Sequence, residues 1–329
     1  MDNNVSKNTF SHKFFKLGFP DDKPTISVKQ LLKYNLLKTL NLYRQKSNIG
    51  IELEFISIAL DRKIILLQFP YRPLSSKAKP NSILSELQSA PVVYRCAIAF
   101  PLAQHCQLSP QMIAESLVDF LSLSATNSAP KAYLRLAIRA VYPGWIDFHL
   151  SDRYLAIWLE QSLIFLEEKL TLTSTSDRAW PKNNQDLFPL QYVHARCCSL
   201  LRLGAREKLI VLKDGNFLDL VGHLAESKPI IWLDQSENFW LTHEAEYCLL
   251  RQLLTVVDSF ASESENWIKL AVNLSEAILT FEAECPIVGF VTQKTPNKAI
   301  ARLGLIALVQ YWLQKLLSEK IGVEALTEL

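Results

Sequence analysis

The sequence predicts an α+β region followed by an all-α helical bundle, and the spacing of apolar residues supports this fold class. Before residue 170, segments with apolar residues at every second position alternate with segments at helical spacing. Beyond residue 187, long stretches of helical spacing predominate. Between them, residues 171–186 are rich in Ser, Thr, Asn and Asp and have no apolar period. We therefore predict a flexible arm at 1–24, an α+β domain at 25–170, a linker at 171–186 and a helical bundle at 187–329.

The first predicted element is an amphipathic helix across residues 25–43. Its apolar residues recur at helical spacing, and its other positions carry Lys29, Lys33 and Lys38, with Arg44 just beyond. Clustered cations bind phosphates by releasing counterions, so this helix is the best phosphate-facing surface in the sequence. We predict Lys33 and Lys38 as contacts to nucleic acid.

The remainder of the first region mixes strands and helices. Alternation predicts strands at 49–55, 63–69, 132–141 and 145–150, and Pro143-Gly144 forms the turn before the last of them. Helical spacing predicts helices at 94–104 and 111–123 and a third that begins at Asp152. Ser109 caps the second helix and Pro110 takes its first position, which suits a residue without an N–H group.

Four long helices are predicted in the second region, at 187–203, 245–260, 266–281 and 298–317. Gly204 ends the first and Gly322 lies close to the end of the last, since glycine readily adopts the left-handed conformation found there. Between the first two helices, Lys213-Asp214-Gly215-Asn216 predicts a tight hairpin turn.

The first helix of this bundle has two distinct faces. Tyr192, Arg196, Ser199 and Arg202 lie toward one side, and the apolar face opposite comprises Leu190, Val193, His194, Cys197, Cys198 and Leu201. In one interpretation, an RNA base stacks on Tyr192, and Arg196 and Arg202 bind the RNA phosphates. In the other, Tyr192 packs between helices and Arg196 is a structural hydrogen-bond donor. Residue types alone do not choose between these interpretations. His194 is assigned to packing.

Charge is distributed unevenly over the 329 residues, although the net charge is only +2. Residues 1–170 carry 20 Lys and Arg against 14 Asp and Glu, whereas residues 171–329 carry 15 against 19. An electrostatic footprint for RNA is therefore expected on the first region, and the second must bind RNA locally or not at all.

Several classes of protein are not indicated by the sequence. The six cysteines include no Cys-x-x-Cys pair and no nearby His at zinc-ligand spacing, so we predict buried thiols in a reducing compartment and no metal site. Residues 1–16 lack the order of a signal peptide, and the longest apolar run, 303–309, is far shorter than the roughly 20 residues that cross a bilayer. We expect a cytoplasmic protein without a membrane span.

Residues 191–202, Gln-Tyr-Val-His-Ala-Arg-Cys-Cys-Ser-Leu-Leu-Arg, closely resemble the helix that opens the anticodon-binding bundle, of the DALR type, in class I arginyl-tRNA synthetases. His243-Glu244-Ala245-Glu246 and Ala301-Arg302-Leu303 are similar to later helices of that bundle. Upstream, Tyr94-Arg95-Cys96-Ala97 and residues 143–151 resemble the additional N-terminal domain of the same family, which contacts the tRNA elbow. Ala97 stands where the family has Asn.

The resemblance implies a bundle of the class I anticodon-binding type, with Gln191, Tyr192, Arg196 and Arg202 as its tRNA contacts. It also implies that Tyr94 and Arg95 contact tRNA from the first domain. No His-x-Gly-His and no Lys-Met-Ser-Lys-like loop occurs, so no catalytic residue, cofactor or enzymatic activity is expected.

Two functions follow as hypotheses. The first is a non-catalytic tRNA-binding protein related to arginyl-tRNA synthetase, whose partner is tRNA, including the arginine-accepting kind, or another structured RNA. The second is a scaffold that keeps the fold, has lost RNA binding and serves an unidentified protein partner.

Overall fold

The computed structural model describes residues 26–47, 64–67, 92–128, 136–170, 187–211, 230–262 and 266–329. The predicted arm, the strand at 49–55, the linker and the hairpin turn at 213–216 lie outside these residues. The described part combines a small antiparallel sheet and several helices with a predominantly helical second region, which agrees with the predicted α+β region followed by helices.

The described residues of the first region form four helices and a four-stranded sheet. The helices are α1 (Val28–Ser47), α2 (Ala99–Cys106), α3 (Pro110–Ser128) and α4 (Asp152–Leu170). The strands are β1 (Ile64–Leu66), β2 (Val92–Cys96), β3 (Leu136–Val141) and β4 (Trp145–Leu150), all antiparallel in the order β1-β2-β4-β3.

Strand β2 corrects one prediction, because residues 94–96 were expected to be helical. Val92, Tyr94 and Cys96 are buried and alternate with half-buried neighbours, which is the period of a strand, and β2 pairs with β1 on one side and β4 on the other. The helix begins only at Ala99. The prediction for residues 94–96 was wrong because a short buried strand and a buried helical segment have similar apolar patterns in sequence.

The predicted helix cap and turn next to the sheet are both present. The Ser109 hydroxyl accepts a hydrogen bond from the Met112 N–H at 3.2 Å, which caps α3. In the β3–β4 turn, Gly144 has a φ of +145°, and a Cβ atom there would lie 2.5 Å from Cβ of Pro110. Glycine is therefore required both by the backbone conformation and by the close approach of α3.

Within the described residues, the second region contains four long helices near their predicted positions, with one short helix between the last two. These are α5 (Phe188–Arg206), α6 (Glu244–Ser262), α7 (Trp267–Glu284), α8 (Phe290–Lys294) and α9 (Pro296–Lys315), which continues into a π-helical segment, Leu316–Ile321. Gly322 follows with a φ of +81°, as predicted for a helix end.

Gly204 does not end α5, contrary to the prediction. It lies inside the helix, and a Cβ atom there would come within 2.6 Å of the Leu303 side chain on α9. The missing side chain allows α5 and α9 to approach each other closely, and the helix continues to Arg206.

Helix α9 lies at the centre of the bundle, and each of its residues from Ala301 to Leu313 is buried. Together with its π-helical continuation, it is long and apolar enough to span a membrane by length and composition alone. However, 83% of its most apolar window is buried inside the structure, as expected of a core helix.

The two regions pack against each other. Helix α1 contacts α6, helix α4 contacts α9, and buried apolar residues of both regions belong to one continuous cluster. Polar contacts add to this packing, since the Trp158 indole of α4 donates to the Ile26 carbonyl at 2.8 Å and Arg153 pairs with Glu237 at 2.8 Å.

Candidate nucleic-acid interface

Helix α5 carries the residues that sequence analysis assigned to RNA in the bundle. Pro189 lies at its start, where no N–H group is needed, and the predicted apolar face is entirely buried. On the opposite face, Tyr192 and Arg196 are exposed, whereas Ser199 and Arg202 are half-buried. Tyr192 has 46% of its surface exposed, so part of its ring is accessible to a ligand and the remainder is covered by the protein.

A stripe of three side chains runs along this face, one helical turn apart. We call Phe188, Tyr192 and Arg196 the aromatic stripe. Phe188 is 52% exposed, and the Arg196 side chain is 43% exposed. Phe188 was not among the predicted RNA contacts, although its position four residues before Tyr192 places it on the same face. Two aromatic rings followed by a guanidinium group form a surface on which bases can stack.

Arg196 already has an acidic partner within the protein. Its Nε donates to Oε1 of Glu282 on α7 at 2.8 Å, and its Nη2 contacts the same oxygen. The hydrogen bond that Arg196 donates to Glu282 raises the pKa of Arg196, so the guanidinium group stays charged. Glu282 is therefore an acceptor of the kind that the interpretation of Arg196 as a structural hydrogen-bond donor requires.

Residues 322–329, which we call the strap, run along the flank of α5 next to the aromatic stripe. The Gln191 side-chain amide donates to the Glu324 carbonyl at 2.8 Å. Nη2 of Arg202 lies 3.0 Å from the Glu328 carboxylate. Two of the four RNA contacts predicted on α5 are therefore engaged by the strap.

A buried histidine holds the middle of the strap. Nδ1 of His194 lies 2.8 Å from the Leu326 carbonyl, an acceptor, so this nitrogen carries the proton. Nε2 then accepts from the side-chain amide of Gln310 at 2.8 Å. Burial lowers the pKa of His194, which agrees with a neutral ring. His194 is fully buried, as the packing assignment predicted.

In the first region, Tyr94 is placed differently from the prediction. It is fully buried, and its hydroxyl donates to Oδ2 of Asp258 on α6 at 2.7 Å. Burial raises the pKa of this hydroxyl well above its usual value, so it remains a donor. Tyr94 therefore offers no surface to RNA in this structure, because strand alternation turns it toward the bundle.

The other three predicted contacts of the first region lie nearer the surface. Arg95 forms two hydrogen bonds of 2.7 Å to Asp147 on β4, and its guanidinium group lies 5.5 Å from the Trp145 ring centroid. On α1, Lys38 is exposed and Lys33 is half-buried.

Possible metal ligands do not cluster in the part of the chain that the structure describes. Within it, no group of three or more His, Cys, Asp or Glu side chains is placed to hold a metal ion. None of the six cysteines forms a disulfide. Four are buried as predicted, namely Cys96, Cys197, Cys198 and Cys285, whereas Cys106 and Cys248 are only partly buried, contrary to the prediction. Burial raises the pKa of the Cys198 thiol to about 12 and that of Cys285 to about 11, so both are unreactive at neutral pH.

Comparison with known proteins returned no matches: no family model, no curated protein and no solved structure matches this chain.

Proposed function

We propose that this chain is a non-catalytic tRNA-binding protein related to arginyl-tRNA synthetase, which holds unpaired bases of tRNA on the aromatic stripe of α5. The observation that carries the proposal is the exposure of Phe188 and Tyr192 one turn apart, with Arg196 on the next turn. These positions fall in or next to the segment that resembles the opening helix of the anticodon-binding bundle.

Unpaired bases suit this surface better than a duplex does. Bases of single-stranded loops are free to stack on aromatic rings and guanidinium planes, and each stacked base contributes about 1–3 kcal/mol. Stacking also does not require the protein surface to carry a net positive charge. This agrees with the second region, residues 171–329, which carries 15 Lys and Arg against 19 Asp and Glu. Phosphate attraction would come from the first region, where Lys38 of α1 is exposed.

The second candidate, a protein-binding scaffold, is favoured by the pairing of the predicted cations. Arg95, Arg196 and Arg202 contact Asp147, Glu282 and Glu328, so each guanidinium group already has a carboxylate partner. In addition, α7 exposes Ile268, Val272 and Leu279, which a protein partner would cover. Under this alternative, the aromatic stripe of α5 is kept from an RNA-binding ancestor but no longer contacts RNA.

Replacement of Tyr192 by Ala separates the two functions. If bases stack on the stripe, Tyr192→Ala weakens tRNA binding by about 1–3 kcal/mol, roughly 5- to 150-fold, whereas Tyr192→Phe keeps the ring and binds nearly as well. Phe188→Ala weakens binding in the same way. Affinity for unfractionated tRNA is measured by gel shift across a range of salt concentrations.

The control is Phe290→Ala, because Phe290 is an aromatic residue that is 75% exposed and lies on α8 rather than α5. We expect this variant to bind as the wild type does. Thermal unfolding of each variant identifies any loss of packing. Equal affinity of Tyr192→Ala, Phe290→Ala and wild type would contradict the RNA proposal and favour the scaffold.

A further inference from the structure

The strap contacts α5 at alternate residues. Its contacts are made by the carbonyls of Glu324 and Leu326 and the carboxylate of Glu328. The first two contacts use backbone carbonyls, and the third uses a side chain that follows a bend at Thr327. The strap therefore touches α5 at three points along the helix.

These three contacts differ in how firmly they are held. The contact at Leu326 is built into the core, because His194 and Gln310 are both buried. The contact at Glu328 lies at the surface, where the carboxylate side chain is 77% exposed and that of Arg202 is 28% exposed. The strap is thus anchored at its middle, and its last contact is of the weak, exposed kind.

Arg202 is the group for which this last contact and an RNA phosphate would compete. A carboxylate and a phosphate bind a guanidinium group through the same charge-assisted hydrogen bonds. Arg202 lies ten residues after Tyr192 on α5, on the same half of the helix surface as the aromatic stripe. Ten residues correspond to about 15 Å along the helix, so the phosphate that meets Arg202 would belong to RNA that stacks on the stripe and continues along α5. That phosphate would find the guanidinium group already bound to a carboxylate.

We propose that residues 327–329 form an intramolecular competitor of RNA, in which the Glu328 carboxylate occupies Arg202 until a phosphate displaces it. Residues 322–326 stay in place during the exchange, because Gln191 and His194 hold the carbonyls of Glu324 and Leu326 and Gln310 orients the His194 ring. This inference rests on the proposed function, since the competing ligand is the RNA that the aromatic stripe would bind.

A double-mutant cycle tests the competition. The four proteins are wild type, Glu328→Gln, Arg202→Gln and the double variant, and the measured quantity is affinity for unfractionated tRNA at fixed salt. The control is Glu319→Gln, which makes the same change in net charge but releases Lys315 rather than Arg202. Because Glu328 is exposed, all five proteins should have similar unfolding midpoints.

We expect Glu328→Gln to bind tRNA about two- to fivefold more tightly than the control variant, the range that an exposed ion pair allows. In the Arg202→Gln background the same substitution should have no more effect than the control. The proposal is overturned if Glu328→Gln only equals Glu319→Gln, or if the gain persists without Arg202. In either of these cases tRNA binding itself still stands. Failure of all five proteins to bind tRNA would overturn both the competition and the proposed function.

Discussion

At the scale of single residues, Asp258 has the most unusual position. Its carboxylate is buried and accepts hydrogen bonds from the Ser27 hydroxyl and the Tyr94 hydroxyl, both at 2.7 Å, and from the Lys29 N–H at 3.1 Å. Lys29 lies in the first turn of α1, so a side chain of α6 supplies the cap of a helix in the other region. This one carboxylate joins α1, β2 and α6.

We expect stability to depend on the charge of Asp258. Burial raises the pKa of Asp258 in the folded chain, so between its usual value of about 4 and the raised value the folded state binds more protons than the unfolded state. The contribution of this group to stability therefore falls as pH rises through that window. Asp258→Asn keeps an acceptor oxygen but does not titrate, so its unfolding midpoint should improve relative to wild type as pH rises.

The measurement is thermal unfolding of both proteins at several pH values from 4 to 8. Asp234→Asn is the matched control, because hydrogen bonds from Asn238 lower the pKa of Asp234 and reverse the expected dependence. From pH 4 to 8 its midpoint should run parallel to that of wild type, because the window over which Asp234 contributes a pH dependence lies below its usual pKa of about 4. If the unfolding midpoints of wild type and Asp258→Asn changed in parallel with pH, burial would not raise the pKa of Asp258 as expected.

At the scale of elements, α1 and α5 are both amphipathic, but they present different surfaces. Helix α1 exposes Lys38, with Lys33 half-buried on the turn before it, and buries its apolar residues against α3, β1 and α6. Helix α5 exposes two aromatic rings, Arg196 paired to Glu282, and Arg206 at its last position. One surface is suited to sequence-independent attraction of phosphates, and the other to stacking of bases.

Charge reversal on α1 should weaken RNA binding without regard to sequence. Lys33→Glu with Lys38→Glu removes up to two phosphate contacts, so affinity should fall similarly for all RNAs, and the slope of log K against log salt should flatten by about one unit per lost contact. The matched control, Lys269→Glu with Lys294→Glu, makes the same change in charge on exposed positions of α7 and α8. An effect no larger than that of the control would mean that Lys33 and Lys38 do not contact RNA.

At the scale of the whole molecule, the two regions are held by packing and by a few polar contacts that connect residues distant in sequence. Ser27 and Tyr94 meet Asp258, and Ile26 meets Trp158. Surfaces on α1 and α5 are therefore carried by one packed body in the described part of the chain. An RNA that used both would contact two fixed sites, which increases affinity when the spacing matches.

We expect this chain neither to activate arginine nor to charge tRNA. The sequence contains no His-x-Gly-His and no Lys-Met-Ser-Lys-like loop, the motifs that serve adenylate chemistry in the resembled family. The measurement is arginine-dependent pyrophosphate exchange by protein purified free of host synthetase. Exchange above a buffer blank would contradict the proposed non-catalytic function.

The sequence by itself determined most of the elements and the two faces of α5. Apolar periodicity is a local property, so it identified the long helices, the β3–β4 pair and the buried face from Leu190 to Leu201. It was wrong where a short buried strand, β2, resembled a helix, and where Gly204 served helix packing rather than helix termination. It also indicated that Tyr192 and Arg196 share the outer side of their helix.

Only the tertiary structure decided what those side chains meet. The partners Tyr94–Asp258, Arg196–Glu282 and Arg202–Glu328 are each separated by many residues, and pairing over such distances depends on how helices and strands pack. Periodicity says which face of an element is buried, but not which acid lies opposite a given cation. For that reason, the burial of Tyr94, the pairing of the arginines and the strap along α5 became visible only in the folded chain.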